Sequence, residues 1–166
     1  MNRLFNSQIV LGNTTVNKFI SNSRNALNLL KKSGQRLFVK QDGEWVRLGL
    51  PSAFKLGFNF ATWYYKTADD MIQVTSYTVA ESRSVQFEVV SKNNRQYDWL
   101  ISFDIVMNDS ENKKDYTMTQ TANVLSFEPT SESAIHSKYP ELKYHLNVEQ
   151  SFDLVSAKEL FNMTTD

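Results

Sequence analysis

The sequence contains no cysteine, and its formal net charge is zero because 18 basic residues balance 18 acidic ones. A chain without cysteine has no disulfides and is typical of a reducing compartment, so we expect a cytoplasmic protein. A neutral chain lacks the basic surface that attracts nucleic acid or anionic lipid. We therefore expect neither nucleic acid nor a membrane as a partner.

Long apolar runs and metal-ligand clusters are also missing. No stretch approaches the roughly 18 consecutive apolar residues of a membrane-spanning helix, and residues 1–17 lack the apolar core of a signal peptide. The two histidines, His136 and His145, have no partner at ligand spacing, so we expect no metal and no cofactor. With no low-complexity linker, the chain is expected to form one β-sandwich domain over residues 1–166.

The sequence is instead rich in apolar and polar residues that alternate with a period of two, as in β-strands. Val85–Ser91 and Tyr97–Met107 alternate cleanly, and Phe58–Tyr65 and Met71–Val79 are rich in aromatic and β-branched residues. The connections between these four runs are short, which favours antiparallel neighbours. The runs predict a β-meander in the middle of a large antiparallel sheet.

Further strands are predicted on both sides of the meander. Asp42-Gly43 indicates a hairpin of Arg36–Lys40 and Glu44–Leu48, because a type I′ turn needs positive φ at both central positions. Leu50–Gly57 is interpreted as a connection. The predicted fold is all-β, a large antiparallel two-sheet sandwich with a short C-terminal helix. Its other elements are strands at Leu4–Leu11, from Ala26 to Lys31, at Tyr116–Thr121 and Asn123–Phe127 (or one strand bulged near Ala122), and at Leu142–Val155 (or two, broken at Gln150-Ser151), and a helix at Ser156–Met163.

The carboxylates show no acid–base pair of the kind that glycoside chemistry uses. Asp69 and Asp70 are adjacent in a predicted turn, where aspartate favours local hydrogen bonds to the backbone. Asp98 and Asp104 would lie about 20 Å apart along one strand, which is too far for an acid–base pair. No catalytic residue is assigned on these grounds, and whether the chain is an enzyme stays open.

Aromatic side chains offer the other candidate site. Trp63 and Tyr65 fall on one face of their strand, opposite Phe58, Phe60 and Tyr64. Aromatic rings stack on the apolar faces of sugars. Trp63, Tyr65 and, on the hairpin, Trp45 are therefore predicted carbohydrate-binding residues. The alternative is that Trp63 packs under a loop or helix.

The order of these features resembles the N-terminal β-sandwich of cellobiose and cellodextrin phosphorylases and of cyclic β-glucan synthases. The resemblance covers roughly residues 25–155. It rests on the hairpin RLFVKQDGEWVRL at 36–48, the strand-rich block at 56–107 and the strand TANVLSFEP at 121–129. The sandwich domains of maltose phosphorylases and glucoamylase relatives are less specifically similar.

The resemblance implies a supersandwich of the galactose-mutarotase-like type. In such enzymes the catalytic acid and the phosphate-binding residues lie in a separate, C-terminal (α/α)6 barrel, so no catalytic residue is carried over to this chain. The implied partner is such a barrel in the same polypeptide, of which this chain would be the N-terminal part. An oligosaccharide and a second copy of the chain are further implied partners.

Three functions follow as hypotheses. The first is a non-catalytic sandwich domain of a glycoside phosphorylase or hydrolase that supports packing, carbohydrate access and oligomerisation. The second is a standalone carbohydrate-binding module that uses aromatic stacking. The third is a structural or interaction protein unrelated to sugars.

Overall fold

A computed structural model describes residues 34–82, 84–105, 107, 114–156 and 160. These residues contain ten β-strands, and every strand pair is antiparallel, which confirms the all-β prediction. The strands are β1 Gly34–Gln41, β2 Glu44–Arg47, β3 Ala53–Leu56, β4 Phe60–Lys66, β5 Met71–Thr78, β6 Val85–Ser91, β7 Trp99–Asp104, β8 Tyr116–Thr121, β9 Val124–Pro129 and β10 Tyr144–Asn147.

The chain divides into two compact units, Met1–Ile105 and Val106–Asp166, called here the N-terminal and C-terminal units. The N-terminal unit holds two sheets: sheet 1 has the strand order β2-β1-β7, and sheet 2 has the order β3-β4-β5-β6. The C-terminal unit holds sheet 3, with the order β10-β9-β8. One domain over residues 1–166 stays a prediction.

Sheets 1 and 2 share one hydrophobic core, which makes the N-terminal unit a sandwich. Leu37 of β1 belongs to the same buried cluster as residues of β4 and β5. The alternating burial of β5 explains this arrangement, because every second residue of a strand points to the same face. The cluster consists of Leu37, Ala61, Trp63, Tyr65, Ile72 and Val74.

The predicted hairpin is confirmed. β1 pairs with β2 through Gln41 and Glu44, and the two residues between them, Asp42 and Gly43, have φ values of 50° and 87°. Both central residues thus have the positive φ that a type I′ turn requires. Gly43 adopts this conformation without the steric cost that a Cβ would bring.

The predicted meander is confirmed for three of its four strands. β4, β5 and β6 are consecutive neighbours in sheet 2. The prediction was wrong for the fourth strand, since β7 leaves the meander and pairs with β1 in sheet 1. Alternation is the same in either sheet, so the sequence pattern could not distinguish the two pairings.

A second prediction was also wrong, because part of Leu50–Gly57 forms strand β3. This four-residue strand pairs with β4, from Ala53 opposite Tyr64 to Leu56 opposite Ala61. Pro51 and Gly57 lie just outside the strand, so neither interrupts its ladder. Because the strand has only four residues, the sequence pattern of this segment was interpreted from Pro51 and Gly57, which are typical of connections.

Sheet 3 forms as predicted for β8 and β9, which are two strands joined at Ala122-Asn123. The long strand predicted at Leu142–Val155 is shorter, since only Tyr144–Asn147 pairs with β9. Asn147 lies opposite Val124, the first residue of β9, and Val148 N–H donates to Asn123 O at 3.0 Å. Beyond that point the ladder has reached the turn, so the alternating residues that follow find no strand opposite.

Several predictions concern residues outside those described. The strands at Leu4–Leu11 and from Ala26 lie there, as does most of the helix at Ser156–Met163. Within the described residues Leu160 is helical, and its N–H donates to Ser156 O at 3.0 Å, the spacing of an α-helical turn. No helix in the described part has the length and hydropathy needed to cross a membrane.

The sandwich core predicts a specific stability difference. Ile72 is fully buried between the sheets, whereas Leu50 is 71% exposed. Ile72→Ala should lower the free energy of unfolding by about 2–5 kcal/mol, because it removes buried methyl groups and leaves a cavity. Leu50→Ala, the control, should change it by less than about 0.5 kcal/mol. Urea denaturation followed by circular dichroism measures both, and equal effects would contradict a core at Ile72.

Candidate functional site

Two of the predicted carbohydrate-binding residues lie inside the sandwich. Trp63 is 5% exposed and Tyr65 is 6% exposed, and both belong to the core cluster. The Trp63 ring packs against Phe54 of β3 with ring centroids 5.4 Å apart. Burial raises the pKa of the Tyr65 phenol well above its usual range, although the Arg47 charge opposes this shift. Sugar binding at these two residues stays a prediction, and their burial argues against it.

Trp45, the third predicted residue, has a different environment. It lies half-buried on β2, one of the two outer strands of sheet 1 as described, opposite Lys40 of β1. Lys40 Nζ sits 5.6 Å from the centroid of the Trp45 ring, within the range of a cation–π contact. Of the three predicted rings, Trp45 therefore has the best access to a ligand.

The outer face of sheet 2 carries a polar and aromatic surface that the sequence reasoning did not single out. Thr62 Oγ1 and Thr75 Oγ1 lie 3.3 Å apart at its centre, and Gln73 Nε2 donates to Thr75 Oγ1 at 3.2 Å. The signal was present in the alternate positions of the runs already recognised as strands. From the strand registers, this face is formed by Ala53, Lys55, Phe60, Thr62, Tyr64, Lys66, Met71, Gln73, Thr75, Tyr77, Gln86, Glu88 and Val90, of which Thr62 is buried.

Asp70 is 5% exposed, and its carboxylate accepts four hydrogen bonds. Oδ1 accepts hydrogen bonds from Met71 N–H at 2.7 Å and from Asn93 N–H at 3.0 Å. Oδ2 accepts from Ser91 Oγ at 2.7 Å and from Tyr97 OH at 2.9 Å. Each carboxylate oxygen thus has two donors, which satisfies the charge in a place where water is excluded.

The pKa of Asp70 follows from this geometry. Burial alone would raise the pKa of the carboxyl, because it penalises the charged form. The hydrogen bonds from Ser91, Asn93, Tyr97 and Met71 outweigh burial and lower the pKa below its ordinary value. Burial and the bond to Asp70 raise the pKa of Tyr97. Asp70 therefore stays ionised and Tyr97 stays protonated at neutral pH.

Neighbouring groups extend this network. Asn93 Nδ2 donates to Asp69 O at 2.6 Å, and Arg95 forms an ion pair with the Asp69 carboxylate at 3.4 Å. Ser91 Oγ, which donates to Asp70, also accepts from Arg95 N–H at 2.8 Å. The sequence predicted a turn with local hydrogen bonds at Asp69 and Asp70. It gave no sign that Asp70 would bind residues more than twenty positions away.

This network is suited to holding the backbone, not to catalysis. A general acid or base exchanges a proton with a substrate and needs a pKa near the working pH, whereas the pKa of Asp70 is lowered and its lone pairs are occupied. Asp104, another of the sequence candidates, forms an ion pair with Arg36 at 2.7 Å. Asp70 and Asp104 are therefore both engaged in interactions within the fold.

The histidines do not form a metal site together. His145 Nδ1 lies 2.9 Å from Ser126 Oγ, its cross-strand neighbour in sheet 3. His136 is half-buried, and its Nδ1 atom is enclosed with no hydrogen-bond partner. In the part of the chain that the structure describes, no three histidine, cysteine, aspartate or glutamate side chains converge as metal ligands would.

The Asp70 network predicts a large loss of stability in one variant and a small loss in its neighbour. In Asp70→Asn the side chain keeps its shape but loses its charge. Its NH2 group replaces an oxygen that accepts two hydrogen bonds, and an NH2 group cannot accept them. We expect a loss of about 1–3 kcal/mol in the free energy of unfolding. Asp69→Asn, in the exposed ion pair with Arg95, should cost less than about 1 kcal/mol. Urea denaturation of both variants at pH 7 tests the difference.

The same variants give a pH test with a definite sign. Because folding lowers the pKa of Asp70, its ionised form stabilises the protein fully above the unfolded-state pKa, about 3.9 for aspartate. This stabilisation is lost as pH falls through the folded-state pKa, which lies lower. The stability gap between wild type and Asp70→Asn should therefore narrow below about pH 4. A gap that widens on acidification would contradict the network.

Comparison with known families and proteins adds two findings. The family model described as the glycoside phosphorylase supersandwich domain matches residues 1–166. A 1,2-beta-oligoglucan phosphorylase from Listeria innocua is 32% identical to the chain over 143 residues. The aligned region covers 86% of this chain but 13% of that relative. The matched segment is thus a small part of a much longer enzyme.

Proposed function

This chain belongs to the family of glycoside phosphorylase supersandwich domains, and from this premise we propose that it is a non-catalytic part of a longer glycoside phosphorylase. The family that the strand pattern resembled is thereby confirmed. We place the chemistry elsewhere in the same polypeptide, in a catalytic domain of the (α/α)6 barrel type.

One observation carries the proposal. The buried carboxylate of Asp70 has four hydrogen-bond donors and a lowered pKa, so it serves the fold. A phosphorolytic site needs a proton donor and a phosphate-binding group that converge on one substrate. The described residues of the N-terminal unit form two sheets packed on one core, which suits a supporting domain.

The role that fits such a support is mechanical. The sandwich would pack against the catalytic domain, border the access of carbohydrate to the active site and contribute to oligomer contacts, a homodimer included. The relative's name points to 1,2-β-linked oligoglucans as the substrate class of the whole enzyme. Cytoplasmic localisation stays a prediction, which the lack of cysteine supports.

The proposal predicts that this chain alone has no phosphorylase activity and that the full-length polypeptide has it. The chain alone should show no phosphate-dependent turnover of 1,2-β-linked oligoglucans, whereas the full-length polypeptide should release glucose 1-phosphate from them. A coupled assay for glucose 1-phosphate measures both. Turnover by the purified chain that is abolished by one carboxylate substitution, such as Asp98→Asn, would contradict a non-catalytic role.

The second candidate function is carbohydrate binding at an aromatic surface. The observation that favours it is the position of Trp45, half-buried on an outer strand of sheet 1 with Lys40 Nζ over its ring. The indole would stack on a sugar ring, and the lysine would donate hydrogen bonds to its hydroxyls. An interaction protein unrelated to sugars has no comparable support from the family.

Stacking at Trp45 predicts weak sugar binding that Trp45→Ala weakens further. One aromatic contact of about 1 kcal/mol implies that Trp45→Ala weakens binding by roughly fivefold, from a Kd in the micromolar to millimolar range. NMR titration of the chain with 1,2-β-linked oligoglucans measures this directly. Val46→Ala, at the adjacent half-exposed position, is the control and should leave the Kd unchanged. No chemical-shift change in wild type at millimolar sugar would argue against this function.

A further inference from the structure

The turn between β3 and β4 displays a phenylalanine to solvent. Phe58 is fully exposed, and Leu56 and Val79 nearby are also exposed to a large extent. Thr78 N–H donates to Asn59 O, so Val79, which follows β5, lies at the same end of sheet 2 as this turn. We call Leu56, Phe58 and Val79 the apolar tip of sheet 2. A fully exposed aromatic ring with exposed aliphatic residues at the same end of a sheet is suited to contact with a partner.

The backbone of the apolar tip is held firmly in place. Gly57 N–H donates to Phe60 O at 2.8 Å and closes the turn. Asn59 is tied to the neighbouring strand twice, since Thr78 N–H donates to Asn59 O and Asn59 Nδ2 donates to Thr78 O, each at 3.0 Å. Phe58 is thus presented on an ordered turn, which lowers the entropy that a partner must remove on binding.

Gly57 shows how closely the turn is packed. A Cβ atom at this position would lie 2.0 Å from Cε1 of the Phe60 ring. The ring therefore folds over the backbone of residue 57, where only glycine leaves room for it. Lys55 Nζ lies 5.4 Å from the centroid of the same ring. Phe60 is thus held within the turn, while Phe58 two residues earlier is left pointing outward.

Two polar side chains beside the tip already have partners. The amide of Asn59 is bonded to Thr78, and the Lys55 ammonium sits over Phe60. A partner that covers Phe58 would therefore remove apolar surface from water without breaking these interactions. Burial of this kind is favourable, whereas burial of unpaired polar groups is not. The chemistry of the tip fits an apolar pocket, and it does not fit a charged or sugar-like ligand.

We propose that the apolar tip docks into an apolar pocket on the remainder of the same polypeptide. This inference rests on the proposed function, and it names the surface through which the packing occurs. The length of chain outside this segment supports that occupant, because the matched region is 13% of the related phosphorylase. Phe58 is the anchor of the contact, and Leu56 and Val79 flank it.

The absence of cysteine in this chain allows a direct test by thiol labelling. Phe58→Cys and Leu50→Cys are made separately in the full-length polypeptide. Leu50 is the control because it is also exposed and lies toward the opposite end of sheet 2, where Ser52 N–H donates to Tyr64 O. Labelling by a maleimide is followed natively and in guanidinium chloride. Mass spectrometry of the peptide that carries each position excludes thiols elsewhere in the polypeptide.

A docked tip makes the thiol at position 58 react at least about tenfold more slowly in the native polypeptide than in the unfolded one. The thiol at position 50 should react at nearly the same rate in both. Protection at position 58 that disappears on dilution would identify a second copy of the chain as the occupant, and would overturn the inference.

Failure of this inference and failure of the proposed function give different results. A third variant, Val46→Cys, reports on sheet 1. If position 46 or 50 is protected and position 58 is not, the domains pack through another surface: the apolar tip is excluded and the proposed packing stands. If none of the three positions is protected, both the docking tip and the packing role are contradicted.

Discussion

The buried carboxylate of Asp70 ties together turns of the N-terminal unit, in addition to the strand pairing and the shared core. Asp70 lies in the β4–β5 turn, and its partners Ser91, Asn93 and Tyr97 belong to the end of β6 and the crossing to β7. That crossing carries the chain from sheet 2 to sheet 1. A charge buried at this point costs free energy unless its donors are in place, so the carboxylate ties the sandwich to one arrangement of its turns.

This constraint also bears on function. A buried aspartate next to a tyrosine is a common composition for a catalytic pair, and only the hydrogen-bond count separates the two interpretations. Here each oxygen of Asp70 has two donors, and the lowered pKa keeps it ionised. A group in that state has no proton to give and no free lone pair for a ligand. The network therefore serves the fold of the N-terminal unit.

Turns and strands were predictable from the sequence where their formation depends on residues that are neighbours along the chain. Asp42-Gly43 predicted its hairpin because the φ requirement of the turn is local, and Val85–Ser91 predicted its strand by alternation. The crossing of β7 and the partners of Asp70 were not predictable, because pairing between distant strands leaves no periodic signal. The strand at Ala53–Leu56 was missed since four residues are too few to show a period.

The aromatic residues show why the site was harder to predict than the fold. Alternation correctly placed Trp63 and Tyr65 on one face of β4 and Phe60 and Tyr64 on the other. It could not tell which face meets sheet 1, and that choice decides which rings are core and which are accessible. The prediction was wrong for Phe58, which was placed on the face of Phe60 but lies in a turn before β4 begins. Its exposure follows from the closure of the turn at Gly57 and Phe60, and so the strongest candidate for a contact lies where periodicity carries no information.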